Sequence, residues 1–308
     1  MARRFARPAA VCRSIAPQRL AEPATGRSPA RADHFFPRFS CPSYNKISRS
    51  LIALAAALRI LTKNTVGEEM IGVVIPVHNE EVLLGDCLQS VRQAAADRLL
   101  DAEPVEIVVV LDACTDRSAA IAVRHQAQIV SLDARCVGAA RALGASLALD
   151  YGARWIAFTD ADTIVSANWL SAQLDQDADA TCGQVCIDDW SGYPVGLRER
   201  FLQRYGAETR HIHGANLGIS AVAYETAGGF PALKSGEDAA LIASLVERRG
   251  DVRWAGTARV VTSARWQTTI ENGFASFLAN LREQCTTEVS SVQLGALASS
   301  QSWAQAAA

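Results

Sequence analysis

The sequence predicts an α/β protein in which a mostly parallel sheet carries helices on both faces. Three observations predict it. Short β-branched runs alternate with segments of helical periodicity, and acidic residues recur at the carboxyl ends of those runs. The 308 residues are 49% hydrophobic and 20% charged, enough for a sizeable core.

Ile71 to Val77 is a short apolar run with Pro76 near its end, the pattern of a parallel strand buried on both faces. A helix should follow it. Asn79 is a candidate cap, Glu80 and Glu81 suit the positive N-terminal end, and Val82, Leu83, Cys87, Leu88 and Val91 recur at helical spacing. Val105 to Leu111 reads as the second strand, with Asp112 at its carboxyl end and a helix starting at Thr115-Asp116. Gln128 to Ser131 is a weak third strand, Val137 to Leu149 a helix, and Trp155 to Thr159 a fourth strand running into Asp160-Ala161-Asp162. Right-handed crossovers would bring ligands beyond the carboxyl ends of these strands, where Asp112 and the Asp160/Asp162 pair fall.

After residue 180 the alternation loosens. A strand is expected at Cys182 to Ile187 and a loop through Trp190, Gly192 and Pro194. Helices are expected at Leu197 to Arg210, Ala221 to Ala227 and Asp238 to Arg249, with short strands at Val252 to Ala255 and Ala258 to Val261. From Gly273 the chain reads as a helix that frays into an Ala/Ser/Gln tail over 286–308. The expected organisation is a globular domain over 70–285.

Residues 1–69 are unlike the rest. They hold 12 Lys+Arg against 4 Asp+Glu and six of the ten prolines, so the remainder holds 18 against 28 and is acidic. The prolines break any long amphipathic helix. This stretch is expected to be a disordered leader or a mis-assigned extension, with Met70 as the alternative start. The acidic remainder lacks the basic stripe that displaces phosphate counterions, so no nucleic-acid partner is expected. Eight cysteines without paired spacing indicate a reduced, cytoplasmic chain. The apolar run Leu51 to Leu58 is far shorter than the roughly 20 residues of a spanning helix, so no transmembrane segment is expected. The Arg248-Arg249 pair reads as a solvated helix end, with peripheral contact to anionic lipid headgroups as the alternative.

The carboxylates carry the chemistry. Asp160 and Asp162 are two apart past a hydrophobic strand, so an extended chain sends both side chains the same way, where like charges repel unless a cation joins them. Oxygen-only ligation favours Mg²⁺ or Mn²⁺; turn formation and capping by Asp is the plainer reading. His211 and His213 would share one face of a strand, as polar lining or as ligands to a metal together with an acid.

Seven short motifs in order resemble those of the family 2 glycosyltransferases. Val74-Ile75-Pro76-Val77-His78-Asn79-Glu80-Glu81 is similar to their opening "IPxxNE". Val110-Leu111-Asp112-Ala113-Cys114-Thr115-Asp116 resembles "VDDxSxD", with Leu111 in place of the first acid, and Gly138-Ala139-Ala140-Arg141-Ala142-Leu143-Gly144 resembles "GxxxARNxG", with Ala142 in place of Asn. Asp160-Ala161-Asp162 matches DxD, and Gly214-Ala215-Asn216, Gly228-Gly229-Phe230 and Gly236-Glu237-Asp238 resemble the acceptor-side blocks.

The resemblance implies the nucleotide-sugar-binding GT-A fold, with a Rossmann-like sheet, a donor half at 70–165 and an acceptor half at 166–285, and an inverting transfer from a nucleoside-diphosphate sugar to an acceptor hydroxyl. It places Pro76, His78 and Glu80 in the nucleoside pocket, Asp112 on the base, Arg141 near the nucleotide and Ala161 beside the ribose. Asp160 and Asp162 would hold the Mg²⁺ or Mn²⁺ that bridges the diphosphate. Asp238 matches the base that takes the acceptor's proton, with Glu237 as fallback, and His213, Gly214 and Asn216 lie on the acceptor side. Without the resemblance, Asp238 reads as an acid at a helix N-terminus. The acceptor is open: a small molecule, a lipid-linked group or a polymer. Arg265-Trp266 resembles the end of the "QxxRW" of processive synthases, but Thr262 stands at the Gln position. The alternatives are a nucleotidyltransferase, against which the lack of a Gly-rich phosphate loop argues, and a silent nucleotide-sugar-binding module.

Overall fold

The computed structural model describes residues 69–206, 210–265 and 273–285. The expected leader, the Leu51 to Leu58 run, Trp266 and the tail over 286–308 lie outside the described residues.

The first strand, β1 (Met70–Val77), pairs in parallel with β2 (Val105–Asp112) on one side and with β4 (Ala153–Phe158) on the other. β3 (Gln128–Leu132) extends the sheet beyond β2, also in parallel. Alternate residues explain why β1 is apolar throughout. Ile71, Val73, Ile75 and Val77 face one core with Leu84, Leu88 and Val91, while Val74 faces a second core with Ala140, Ala145, Phe158 and Leu241. A strand covered on both faces has no solvent side to carry polar residues.

The helices pack as this division requires. On the first face lie α1 (Leu84–Ala95) and α2 (Ser118–Arg124); on the second lies α3 (Val137–Asp150). Gly144 lets α3 approach the sheet, since a Cβ there would sit 2.4 Å from a Val74 methyl. The chain runs from β1 outward through β2 and β3, then returns to β4 on the far side of β1. That reversal opens a crevice at the carboxyl ends of β1, β2 and β4, the place where such sheets bind ligands.

The remaining strands are β5 (Thr163–Val165), β6 (Ala180–Cys186), β7 (Leu217–Ser220) and β8 (Val252–Thr262), which complete the order β3-β2-β1-β4-β7-β6-β8-β5. Pairs β4/β7, β6/β7 and β5/β8 are antiparallel and the other four parallel, so the expected mostly parallel sheet with helices on both faces is observed. Four further helices are α4 (Trp169–Leu174), α5 (Leu197–Tyr205), α6 (Ala221–Ala227) and α7 (Glu237–Glu247). The last helix, α8 over 274–285, packs Leu278, Leu281 and Cys285 against Leu197, Phe201 and Tyr205 of α5. Among the described residues, no helix is long and apolar enough to cross a membrane.

Several local expectations are corrected. Asn79 does not cap α1: its φ is +56° and its side chain accepts from the Thr115 N–H at 2.7 Å, across to the β2–α2 turn. Residues 80–83 form a turn instead, and Val82 is 81% exposed because it precedes the helix. The two short strands expected over 252–261 are one strand whose register against β6 slips between Gly183 and Gln184. β5 and α4 escaped the sequence reading. β5 has three residues and, among the described residues, pairs with the distant β8, so no local periodicity marks it.

Candidate active site

The site forms where β1, β2 and β4 end, closed from the other side by the residues around Gly214 and the start of α7. At the end of β1, Pro76 is half-buried and His78 is exposed, its Nδ1 lying 2.6 Å from the Asp112 carbonyl oxygen. Glu80 follows with its N–H donating to Ser118 Oγ at 3.0 Å. Burial pushes the Glu80 carboxyl up, while its bond to Arg265 opposes that.

Asp112 is only 4% exposed, and its carboxylate accepts from the N–H groups of Ala134, Arg135 and Cys136 at 2.7 to 2.8 Å. It anchors the loop into α3, so the carboxylate expected on the base is largely occupied by backbone donors. Ala161 is 3% exposed, with its methyl in the core beneath β1, so its side chain offers nothing to a ligand.

Asp160 and Asp162 stand two apart, but two arginines draw them in different directions. Arg141, 4% exposed, donates through Nη2 to Asp160 Oδ1 at 2.5 Å and through Nη1 to Glu237 Oε1. Asp162 Oδ2 accepts from Ser263 Oγ at 2.5 Å and from Arg265 Nη2 at 2.7 Å; the same Nη2 reaches Glu80 Oε1 at 2.6 Å. Burial raises the Asp160 carboxyl, with Arg141 opposing.

On the facing wall, Gly214 admits the Arg141 guanidinium, because a Cβ there would fall 2.3 Å from Cζ. The Gly214 N–H donates to Asp238 Oδ2 at 2.7 Å, and the Ala239 N–H to Asp238 Oδ1 at 2.8 Å. Asp238 is therefore held by both oxygens yet remains partly exposed. Its neighbour behaves differently. Glu237 is 3% exposed and tied to Arg141, so the fallback base is a buried partner of the arginine with no face toward an acceptor.

His213 bonds through Nε2 to the Tyr205 hydroxyl at 2.8 Å, and His211 stacks flat on the Tyr205 ring at 3.9 Å between centroids. Burial pushes the His213 imidazole down to about 4, against the pull of Asp238. Both histidines are polar lining of an aromatic cluster, the plainer of the two expectations. Asn216 is corrected as an acceptor-side group. It is fully buried, accepting from Trp169 Nε1 at 2.9 Å and donating to the Gln184 and Ala258 carbonyls at 3.0 and 2.9 Å. Its side chain ties β7 to β6 and β8.

Charge sets what the site can take. Glu80, Asp160, Asp162, Glu237 and Asp238 are five carboxylates against the two guanidinium groups of Arg141 and Arg265, three formal negative charges in excess. A diphosphate entering unaccompanied is repelled. Among the described residues, no three His, Cys, Asp or Glu side chains are gathered as metal ligands. Two hard carboxylates still fit Mg²⁺ or Mn²⁺, since Mg²⁺ commonly takes one or two carboxylates and completes its shell with phosphate oxygens and water.

The sheet order, the crevice and the paired aspartates define a GT-A nucleotide-sugar-binding fold. The family model of glycosyl transferase family 2 matches residues 72–230, just over half of the chain, and the chain belongs to this family. The match ends ahead of Asp238. No curated protein matches the sequence. Among solved structures, S. aureus TarS 1-349 in complex with UDP-GlcNAc is 16% identical, with a TM-score of 0.50 over 67% of this chain and 61% of that one. Mannosyltransferase PcManGT from Pyrobaculum calidifontis, in complex with GDP-Man and Mn²⁺, is 20% identical, with a TM-score of 0.48 over 75% of this chain and 67% of that one. Glucosyl-3-phosphoglycerate synthase from Mycobacterium tuberculosis, in complex with phosphoglyceric acid, is 16% identical, with a TM-score of 0.49 over 76% and 84%. The chain spans about three-fifths of the TarS 1-349 chain and 36% of a longer TarS chain.

Proposed function

We propose that the domain transfers a glycosyl group from a nucleoside-diphosphate sugar to an acceptor hydroxyl, with inversion at the anomeric carbon. The observation that carries this reading is the Arg141 bridge. One buried guanidinium binds Asp160 of the donor-side pair and Glu237, next to Asp238, and so holds the donor carboxylates and the base in one frame.

Pro76, His78 and Glu80 line the nucleoside pocket, with Asp112 shaping it through the 134–136 loop. Asp160 and Asp162 are the residues that would hold Mg²⁺ or Mn²⁺. When bound, the cation supplies Lewis-acid stabilisation of the charge that builds on the departing diphosphate. Asp238 accepts the acceptor hydroxyl's proton as its oxygen attacks the anomeric carbon. The two backbone N–H groups fix that carboxylate's orientation, so its remaining lone pairs face the acceptor. Attack from the base's side, opposite the leaving diphosphate, inverts the centre. The acceptor is a hydroxyl on a small molecule, a lipid-linked group or a polymer.

Thermal unfolding with UDP, GDP, CDP and dTDP, each with and without Mn²⁺, tests the donor half, because a ligand that binds the native state raises its stability. A metal-dependent rise with one nucleotide is expected. Asp238→Asn then tests the base: transfer should fall by about 10²-fold or more, the scale of a lost general base, with nucleotide binding unchanged. Loss of both together would mean that Asp238 only holds the fold.

A further inference from the structure

Arg265 stands where a cation belongs. Its Nη2 lies 2.7 Å from Asp162 Oδ2 and 2.6 Å from Glu80 Oε1, and its Nε donates a third bond to Ser263 Oγ at 3.2 Å. Ser263 Oγ in turn donates to Asp162. The other aspartate of the pair is served by Arg141, a buried residue bound also to Glu237, which cannot leave without exposing two acids to each other. Arg265 is different, since its side chain is 48% exposed and it can swing into water at little cost. One nitrogen is shared between two carboxylates, so the guanidinium can yield Asp162 and keep Glu80.

We infer that Arg265 is the resident counter-ion of Asp162, a positioning residue that neutralises the donor carboxylates in the metal-free protein and is displaced from Asp162 by the incoming divalent cation. This deepens the proposed donor site and rests on it. Without Arg265, Glu80 and Asp162 face each other as like charges; with it, both are paired. The exchange replaces one positive charge on Asp162 by two and leaves the guanidinium on Glu80, at the rim of the nucleoside pocket. It also lowers the affinity for free metal, so that ions in solution do not fill the site before a diphosphate is there to complete their shell.

The test is Mn²⁺ binding to the full chain without nucleotide, read from the loss of the free-Mn²⁺ signal in electron paramagnetic resonance. Arg265→Met keeps the aliphatic stem and removes the charge. It should bind Mn²⁺ about tenfold more tightly than the wild type, the scale of removing one partly exposed charge-assisted bond. A structural loss would weaken binding, so the gain is not mimicked by a damaged fold. Arg265→Lys should stay near the wild type, and Arg265→Gln repeats the gain if the Met variant does not fold. Equal or weaker Mn²⁺ binding by both neutral variants, with Asp162→Ala abolishing it, overturns this inference alone. Absence of Mn²⁺ binding in wild type and variants, with or without UDP, GDP, CDP or dTDP, overturns both the inference and the metal reading beneath it.

Discussion

Arg141→Met should destabilise the domain in a pH-dependent way. The substitution removes the partner of two carboxylates with different exposure: Glu237 is 3% exposed and the Asp160 side chain 35%. Breaking a buried pair from one side costs about 3–5 kcal/mol, because the other charge stays behind unpaired. Asp160 can rehydrate, so its share is discounted for solvent screening. The expected loss is therefore at the lower end, about 3 kcal/mol at pH 8, most of it from Glu237. Burial already raises the Glu237 carboxyl above its usual 4.5 and Arg141 is the largest influence opposing this, so in the variant it rises further. A folded-state value above the unfolded one means stability that is present at low pH and lost as pH rises through the folded value. The deficit should shrink as pH falls through that raised folded-state value, because a protonated Glu237 no longer needs the guanidinium. Urea unfolding at pH 8 and at lower pH, with Glu237→Gln and the double variant completing a cycle, measures this. The double variant should be more stable than Arg141→Met alone. A deficit independent of pH, or a double variant as unstable as the single one, would refute the argument that an unpaired Glu237 is the cause.

Three further outcomes are expected. His213, held at about 4 against an ordinary 6.5, takes up a proton in the unfolded chain before the folded one as pH falls. Wild-type stability should thus drop by about 3 kcal/mol at most between pH 6.5 and 4, and His213→Gln should lose this part of the slope; a nuclear magnetic resonance titration of the ring near 6.5 would contradict it. Asn216→Ala strands Trp169 Nε1 and two strand carbonyls in the core and should cost at least about 3 kcal/mol in chemical unfolding; a loss under about 1 kcal/mol would show that water replaces the amide. Gly214→Ala pushes a methyl into the Arg141 guanidinium and should cost about 1–3 kcal/mol, with transfer impaired beyond that of an Ala substitution elsewhere on the same wall; unchanged stability would mean that the arginine has room to shift.

Much of the donor half was legible along the chain because its signals are local. Strand β1 shows its double burial in consecutive residues, the helices show theirs at spacings of three and four, and Asp160-Ala161-Asp162 shows alternate orientation over three residues. Ala161 shows the opposite face: the same alternation that sets the two aspartates on one side sends its methyl into the core. The acceptor half was less legible. Asn216 sits in a motif that resembles a ligand-contacting block, yet its amide is consumed by Trp169, Gln184 and Ala258, residues that no local pattern connects to it.

What the sequence determined by itself is the alternating α/β plan, the family and the identities of the acids at the strand ends, because each follows from neighbours in the chain. Only the tertiary structure decided which acids are paired. Arg141 lies 96 positions from Glu237, and Arg265 lies 185 from Glu80 and 103 from Asp162. A buried charge demands a partner, but it sets no limit on how far along the chain that partner lies. The fold alone therefore separated Glu237, bound and buried, from Asp238, anchored by backbone N–H groups and partly exposed.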